Sequence, residues 1–250
     1  MSGHSKWSTI KRAKGVNDVK RSQSFTKMAN AIAIAARLSG SSDPDSSPRL
    51  RMAVEAARAV NLPKENVQRA IDRGLGRLPG QTLEEVTYEG FGPDKVAFLI
   101  EVVTDNKNRT LQEMRNIFER SGGGLGSTGS TSHMFDKKGE IKVKGKGGSV
   151  EDEIFELIDL GAEDVEDFSE EGSQKYLVYT HSTKLNEVSK NITQSGFSID
   201  SSEIVFQPNI HIEITDQAVA QKVIDFTEKL EDQDDVQKVF ANFDIPDELV

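Results

Sequence analysis

The spacing of apolar residues changes once along the chain, at Thr82, and that change constrains the fold more than any other feature. Before it, apolar residues recur every third or fourth position, the period of one helix face. Phe25, Met28, Ala29, Ile32 and Ala36 predict a helix from Ser22 or Ser24 to about Leu38, with the serine as its cap. Leu50, Ala53, Val54, Ala57 and Val60 predict a second over about 49–60. Val67, Ala70 and Ile71 predict a third, with Pro63 suited to its first turn and Gly74 to its end. The polar run Gly40–Pro48 reads as a turn, and residues 1–20 as an irregular arm broken by Gly3, Gly15 and Asn17. Three helices with short connections make a small domain in which the Phe25–Ala36 stripe is core.

After Thr82 the apolar residues alternate, the period of a strand. Leu83–Tyr88 and Val96–Thr104 read as strands joined by the turn Gly90–Asp94. The second is apolar on both sides, which predicts a central strand. Asn108–Arg120 reads as a helix with Leu111, Met114, Ile117 and Phe118 inward, followed by the loop Gly122–Gly129 and a short strand near Thr131–Phe135. A new pattern opens at Ile141–Val143. It runs through a helix (Val150–Leu160), strands (Asp164–Phe168 and Lys175–Thr180), a helix (Thr183–Gln194) and a strand (Ser198–Phe206), the β-α-β-β-α-β order of a ferredoxin-like domain. Ile210–Ile214, a helix of about Asp216–Leu230 and Val236–Phe243 complete the set that the new pattern interrupts. The expected fold class is α+β: an N-terminal three-helix domain (1–80), then two α+β, ferredoxin-like domains. The third (139–206) is inserted into the second (81–138 plus 207–250).

Charge follows the same division. Through Gly80 the chain carries fifteen Lys and Arg against six acids, about +9, and the remainder carries about -19, for the net -10 of the whole. Such segregation points to a polyanion-binding end on an acidic body. The cations concentrate in the first forty residues, around the only tryptophan, Trp7. Lysine and arginine at phosphates release counterions and bind without sequence choice. Trp7 stacks on an unpaired base in one reading and anchors the arm to the helices in the other. No recognition-helix pattern marks the arm, which favours RNA over specific duplex DNA.

Other chemistries find little support. The chain has no cysteine, which excludes disulfides, thiolate catalysis and Cys-ligated zinc. No run of eighteen apolar residues marks a membrane helix, no secretory signal is expected at the N-terminus, and Ser2 does not suit myristoylation. Gly124-Leu-Gly-Ser-Thr-Gly129 fits G-x-G-x-x-G but follows a helix and leads into a strand, the reverse of a dinucleotide fingerprint. It reads as a plain connection, or as a backbone-lined contact for phosphates. His4, His133, His181 and His211 lack metal-ligand spacing, the acidic runs read as solvated faces, and no G-x-S-x-G elbow occurs. The expectation is a protein that is not an enzyme and uses no cofactor or metal.

Gly3-His-Ser-Lys-Trp7, Phe25-Thr-Lys27, Asp43-Pro, Pro48-Arg-Leu-Arg51, Asn61-Leu-Pro-Lys64, Arg69-Ala-Ile71 and Arg73-Gly74 resemble the YebC family. So do Tyr88-Glu-Gly90, Met134-Phe-Asp-Lys-Lys-Gly139, Asp234-Asp-Val-Gln237 and Asn242-Phe-Asp244, so the resemblance spans the chain. It implies a helical N-terminal domain and two α+β domains. For function it implies a regulator of gene expression. Bacterial members are described as DNA-binding transcriptional regulators. A mitochondrial relative is a translational activator for a cytochrome oxidase subunit, and other work points to help at the ribosome with proline runs. Carried onto this sequence, the nucleic-acid contacts fall on Lys6, Trp7, Lys11, Arg12, Lys14, Lys20, Arg21 and Lys27, with Arg49 and Arg51 of the Pro48–Arg51 motif beside them. The expected partner is nucleic acid (ribosomal or messenger RNA first, DNA second) and with it the ribosome. A monomer is expected, in the cytoplasm, or in the mitochondrial matrix for an organellar member. A third reading is a protein-interaction module whose acidic lobes recruit a basic partner. This chain departs from usual family residues at Asn30 (commonly basic), Ser47 (commonly Asn) and His133 (commonly aromatic).

Overall fold

A computed structural model describes residues 18–78, 82–170, 172–246 and 249, with backbone alone for 18–22. The chain is α+β, a three-helix domain followed by two α+β domains, the third inserted into the second.

Helix α1 spans Asp18–Ser39, α2 Pro48–Ala59 and α3 Lys64–Gly74. Helix α1 starts ahead of the expected Ser22 or Ser24, so Lys20, expected in the irregular arm of residues 1–20, and Arg21 just after it are both helical. The run Val19-Lys-Arg-Ser-Gln23 contains no Gly or Pro to stop a helix, and Lys, Arg and Gln are good helix formers. Ser47 accepts a hydrogen bond from the backbone N–H of Leu50 and caps α2 with Pro48 in the first turn, so it performs there the work of the commoner Asn. The expected stripe is core: Phe25, Met28, Ala29, Ile32 and Ala36 pack with Leu50, Val54, Ala57, Leu62, Ala70 and Ile71. Ile32 and Leu50 are wholly buried, and truncating either to Ala costs about 2–5 kcal/mol. Asn30 is also buried and accepts a 3.4 Å hydrogen bond from Arg73 Nη1, so this position faces α3 and is no gap in an exposed basic face.

Strands β1 (Glu84–Phe91) and β2 (Ala97–Thr104) form an antiparallel hairpin. Helix α4 (Lys107–Arg120) and the two-residue β3 (Gly124–Leu125) follow. Strand β4 is Phe135–Lys144. Two separate strands, near Thr131–Phe135 and from Ile141, were expected. Ser132–Met134 is instead a turn of 3-10 helix, and Phe135–Lys144 is one continuous strand. Lys137-Lys-Gly-Glu140 conceals it by lacking apolar alternation, and Gly139 has a packing reason. A Cβ there would lie 2.9 Å from both Leu185 Cδ1 and Thr180 Cγ2.

The chain continues with α5 (Val150–Asp159), β5 (Asp164–Glu170), β6 (Ser173–His181), α6 (Leu185–Gln194) and β7 (Ser198–Pro208). These strands order as β5-β6-β4-β7, all neighbours antiparallel. Strand β6 therefore sits between β5 and β4, the two strands that α5 connects, which is the split βαβ arrangement expected. After it come β8 (Ile212–Glu213), α7 (Gln217–Glu231), β9 (Val236–Ala241) and β10 (Phe243–Asp244). Strand β9 returns to pair with β2, giving the sheet order β3-β1-β2-β9 and making β2 central as its two apolar sides predicted. Helices α4 and α7 close the core beneath it. Phe98, Phe118 and Phe226 meet edge to face, with ring centroids 4.9–6.4 Å apart. Phe135–Asn209 forms one compact unit, and the described residues on either side of it form the other.

Candidate nucleic-acid interface

Of the ten candidate contacts, Lys6, Trp7, Lys11, Arg12 and Lys14 lie outside the described residues. Lys20 and Arg21 fall in the first turn of α1, where the backbone alone is described. The other three have neighbours. Lys27 Nζ donates to the carbonyl of Glu231 at the end of α7, where the C-terminal carbonyls of a helix attract a cation. Arg49 pairs with Glu85. Arg51 Nε lies 3.4 Å from Asp45 Oδ1, and its Nη2 donates to the Asp45 carbonyl at 3.0 Å. Both ion pairs are exposed, where such pairs contribute about 0–1 kcal/mol, so a phosphate can compete for either arginine.

Charge counting did not single out the other cations of the helical domain. Arg58 on α2 and Lys64 and Arg69 on α3 are exposed and make no ion pair with a described residue. Arg37 and Arg73 bond to neutral groups, the carbonyl of Leu83 and the amide of Asn30. The inserted domain differs in degree: its Lys184 and Lys190 are also exposed and make no ion pair with a described residue, but five others are held. Its Lys138, Lys142, Lys144, Lys146 and Lys175 are tied to Glu163, Glu170, Asp200, Glu156, and the pair Glu170 and Asp200. Lys142 is almost fully buried, with its ammonium 2.9 Å from Glu170 Oε1 and 5.2 Å from the Phe168 ring centroid. The Lys175 hydrogen bond leads in holding the Glu170 carboxyl below its ordinary range, against the opposing effect of burial. Lysines committed in this way offer little to an incoming polyanion.

The glycine-rich loop is answered by one side chain. Glu89 is buried at the end of β1, and Oε1 accepts from the N–H of Gly129 at 2.8 Å. Its Oε2 accepts from Thr131 at 2.7 Å and Ser132 at 2.8 Å. Burial pushes the carboxyl up, but the N–H donors of Gly129, Thr131 and Ser132 together outweigh it and hold the pKa below the usual carboxylate value. The donors that a phosphate would use there already serve a carboxylate, which makes this stretch a fastened connection. Glu153 repeats the device in the inserted domain. It is buried and accepts from Lys146 N at 2.9 Å and Gly148 N at 2.8 Å. His133, where relatives commonly carry an aromatic, is exposed on the 3-10 turn with Nδ1 3.3 Å from the Gly129 carbonyl.

A second polar cluster escaped the sequence reading. Asp235 Oδ2 accepts from Thr110 Oγ1 at 2.6 Å, Arg109 Nη2 at 2.8 Å and Thr104 Oγ1 at 3.0 Å. Burial raises its pKa, and the three donors bring it below normal. Asn106 caps α4 through the N–H of Arg109. The cluster joins β2, α4 and the segment before β9, and it holds Arg109 against Asp235, Asp105 and Glu113. Its signal was Thr104-Asp-Asn-Lys-Asn-Arg-Thr110, polar residues at a strand-to-helix junction that only the distant Asp235 explains. Among the described residues no group of three His, Asp or Glu could hold a metal ion, and no helix is long and apolar enough to cross a membrane.

A basic helical domain ahead of an interrupted α+β domain, with a ferredoxin-like domain inside the interruption, defines the class of protein. Residues 5–77 match the TACO1/YebC protein N-terminal domain and residues 83–243 match the TACO1/YebC second and third domain, and the chain belongs to this family. It is similar to a probable transcriptional regulatory protein of Sulfurihydrogenibium sp. strain YO3AOP1, 47% identical over 100% of this chain and 98% of that protein. A protein of the same description from Fusobacterium nucleatum is 45% identical over the same shares. Among solved structures, a conserved hypothetical protein of Aquifex aeolicus aligns with a TM-score of 0.83 at 41% identity, over 92% of this chain and 93% of that one.

Proposed function

We propose that this protein is a non-enzymatic regulator of gene expression that binds RNA through its N-terminal arm and helical domain and acts at the ribosome. The observation that carries the reading is the segregation of charge, about +9 through Gly80 against about -19 beyond it. Arg58, Lys64 and Arg69 stand unpaired among the described residues of the basic end, while five lysines of the inserted domain are held by its own acids. A polyanion gains counterion-release energy at the first surface and meets neutralised or repelling charge at the second. The domain boundaries after residues 80, 138 and 206, a monomeric state and a cytoplasmic location, or the mitochondrial matrix for an organellar member, belong to the same proposal.

The test replaces Lys11, Arg12 and Lys14 together by Glu. Wild-type protein co-sediments with ribosomes at low salt and the triple variant does not; equal sedimentation of the two sinks the arm's assigned role. A second reading, binding to duplex DNA, is favoured by the description of the relatives as probable transcriptional regulatory proteins. The acidity of both α+β domains weighs against it, because wrapping a long duplex needs a continuous basic face.

A further inference from the structure

A cavity of about 230 Å³ opens where α1, the end of α3 and the start of β1 meet. Ala33, Leu75, Leu78 and Leu83 give it apolar walls, and Arg37 and Arg73 give it charge. Gly74 creates the geometry: a Cβ there would lie 2.0 Å from the Ala33 carbonyl oxygen, so only glycine lets α3 cross α1 this closely. The close crossing brings Arg73 to the same wall as Arg37. The helix then ends in a turn with Gly76 at φ +69°, Gly76 N–H bonded to Arg73 O and Arg77 N–H to Asp72 O, so its last carbonyls are largely satisfied within the chain. The cavity's charged offering is therefore the two guanidinium groups, beside the lining residue Thr82; each guanidinium also donates to a neutral group, the Leu83 carbonyl or the Asn30 amide, and among the described residues no carboxylate pairs with either. Arg37 influences Glu84 at a distance, but that carboxylate is bound to Lys107. Leu78 is 40% exposed.

We propose that this cavity receives a single extruded base of an RNA strand, with a guanidinium of Arg37 or Arg73 stacked on the base or gripping the adjoining phosphate. The inference rests on the RNA-binding reading above and names a site for it apart from the arm. Apolar walls with a few convergent polar groups are what small ligand sites offer. Guanidinium planes are among the surfaces on which unpaired RNA bases stack, and they match phosphate with two donors at once. Size decides between ligands. Pockets for drug-sized molecules run from roughly 300 to 1,000 Å³, so this cavity suits one base of a polymer better than a complete free nucleotide.

The test measures binding of a short single-stranded RNA and of the same strand with one central abasic nucleotide. Wild-type protein is compared with Arg73→Gln, with Arg37→Gln/Arg73→Gln and with the Lys11/Arg12/Lys14→Glu variant. Arg73→Gln is the safeguard against misfolding, because Arg73 is exposed and, among the described residues, its guanidinium makes a single long hydrogen bond, to Asn30 at 3.4 Å. The proposal expects the abasic strand to bind wild-type protein about tenfold more weakly than the intact strand. It expects either arginine variant to lose that discrimination, and a 4-thiouridine strand to crosslink to the segments around Leu75–Leu78 and Leu83. Equal binding of both strands by wild-type protein overturns the cavity while leaving arm-dependent binding standing. Uridine monophosphate competing at micromolar concentration overturns it in favour of a free nucleotide. Absence of any RNA binding overturns both this inference and the function it rests on.

Discussion

Replacing Glu89 by Gln is the most informative perturbation of the fold, because three backbone N–H groups within 2.7–2.8 Å converge on this one carboxylate. Glutamine offers a single acceptor oxygen. With that oxygen on the Thr131 and Ser132 side, its NH2 faces the Gly129 N–H, donor against donor, and the two surviving bonds lose their charge. Hydrogen bonds to charged groups contribute about 1.5–3 kcal/mol and neutral ones about 0.5–1.5 kcal/mol, so the local loss is about 2–4 kcal/mol. At 1.36 kcal/mol per tenfold, local opening rises about 30- to 900-fold. Amide hydrogen exchange of the peptide covering Gly129–Ser132 reads this directly, with peptides of β6 as internal reference. The Glu89 pKa is lowered in the folded state, so its stabilisation is complete above the unfolded carboxylate pKa of about 4.3 and disappears as pH falls through the lower folded value. The gap between wild type and Glu89→Gln therefore narrows on acidification. Exchange at neutral pH that differs less than threefold between the two proteins refutes the clamp.

The remaining predictions follow from the same geometry. Gly74→Ala drives a methyl group into the Ala33 carbonyl and costs about 3 kcal/mol or more, measured as a lowered midpoint in urea; an unchanged midpoint contradicts the close helix crossing. Asp235→Asn removes the charge that Arg109, Thr110 and Thr104 share and costs about 2–4 kcal/mol at pH 7, with the difference shrinking at acid pH because the folded pKa is lowered. Thermal melts at pH 7 and pH 4 check both parts. Arg58→Glu/Lys64→Glu/Arg69→Glu leaves the melting temperature within a few degrees, since all three are exposed and make no ion pair with a described residue, yet weakens RNA binding and flattens its salt dependence.

The elements legible in the sequence were those that bury a face along their own length. The Phe25–Ala36 stripe, the two-sided strand Ala97–Thr104 and the β-α-β-β-α-β order each carry a period that one segment can display. Features created by a partner distant in sequence stayed hidden. Strand β4 looks broken at Lys137–Glu140 because its pairing comes from β6 and β7 on both sides, and because Gly139 makes room for Leu185 and Thr180. The Glu89 clamp spans about forty residues and the Asp235 cluster more than a hundred, so neither leaves a local pattern. For the candidate site, the sequence marked the basic end by counting. Counting did not distinguish Arg51, held by Asp45, from Arg69, which makes no ion pair with a described residue. Nor could it see that Gly74 brings Arg73 and Arg37 to one cavity.

The central claim is that the basic end of this chain holds RNA. Crosslinking the protein to nucleic acid in living cells and sequencing what is bound tests it most directly. Ribosomal and messenger RNA are the expected species, with signal lost in the Lys11/Arg12/Lys14→Glu variant; peaks at promoter DNA that survive ribonuclease treatment would contradict RNA binding.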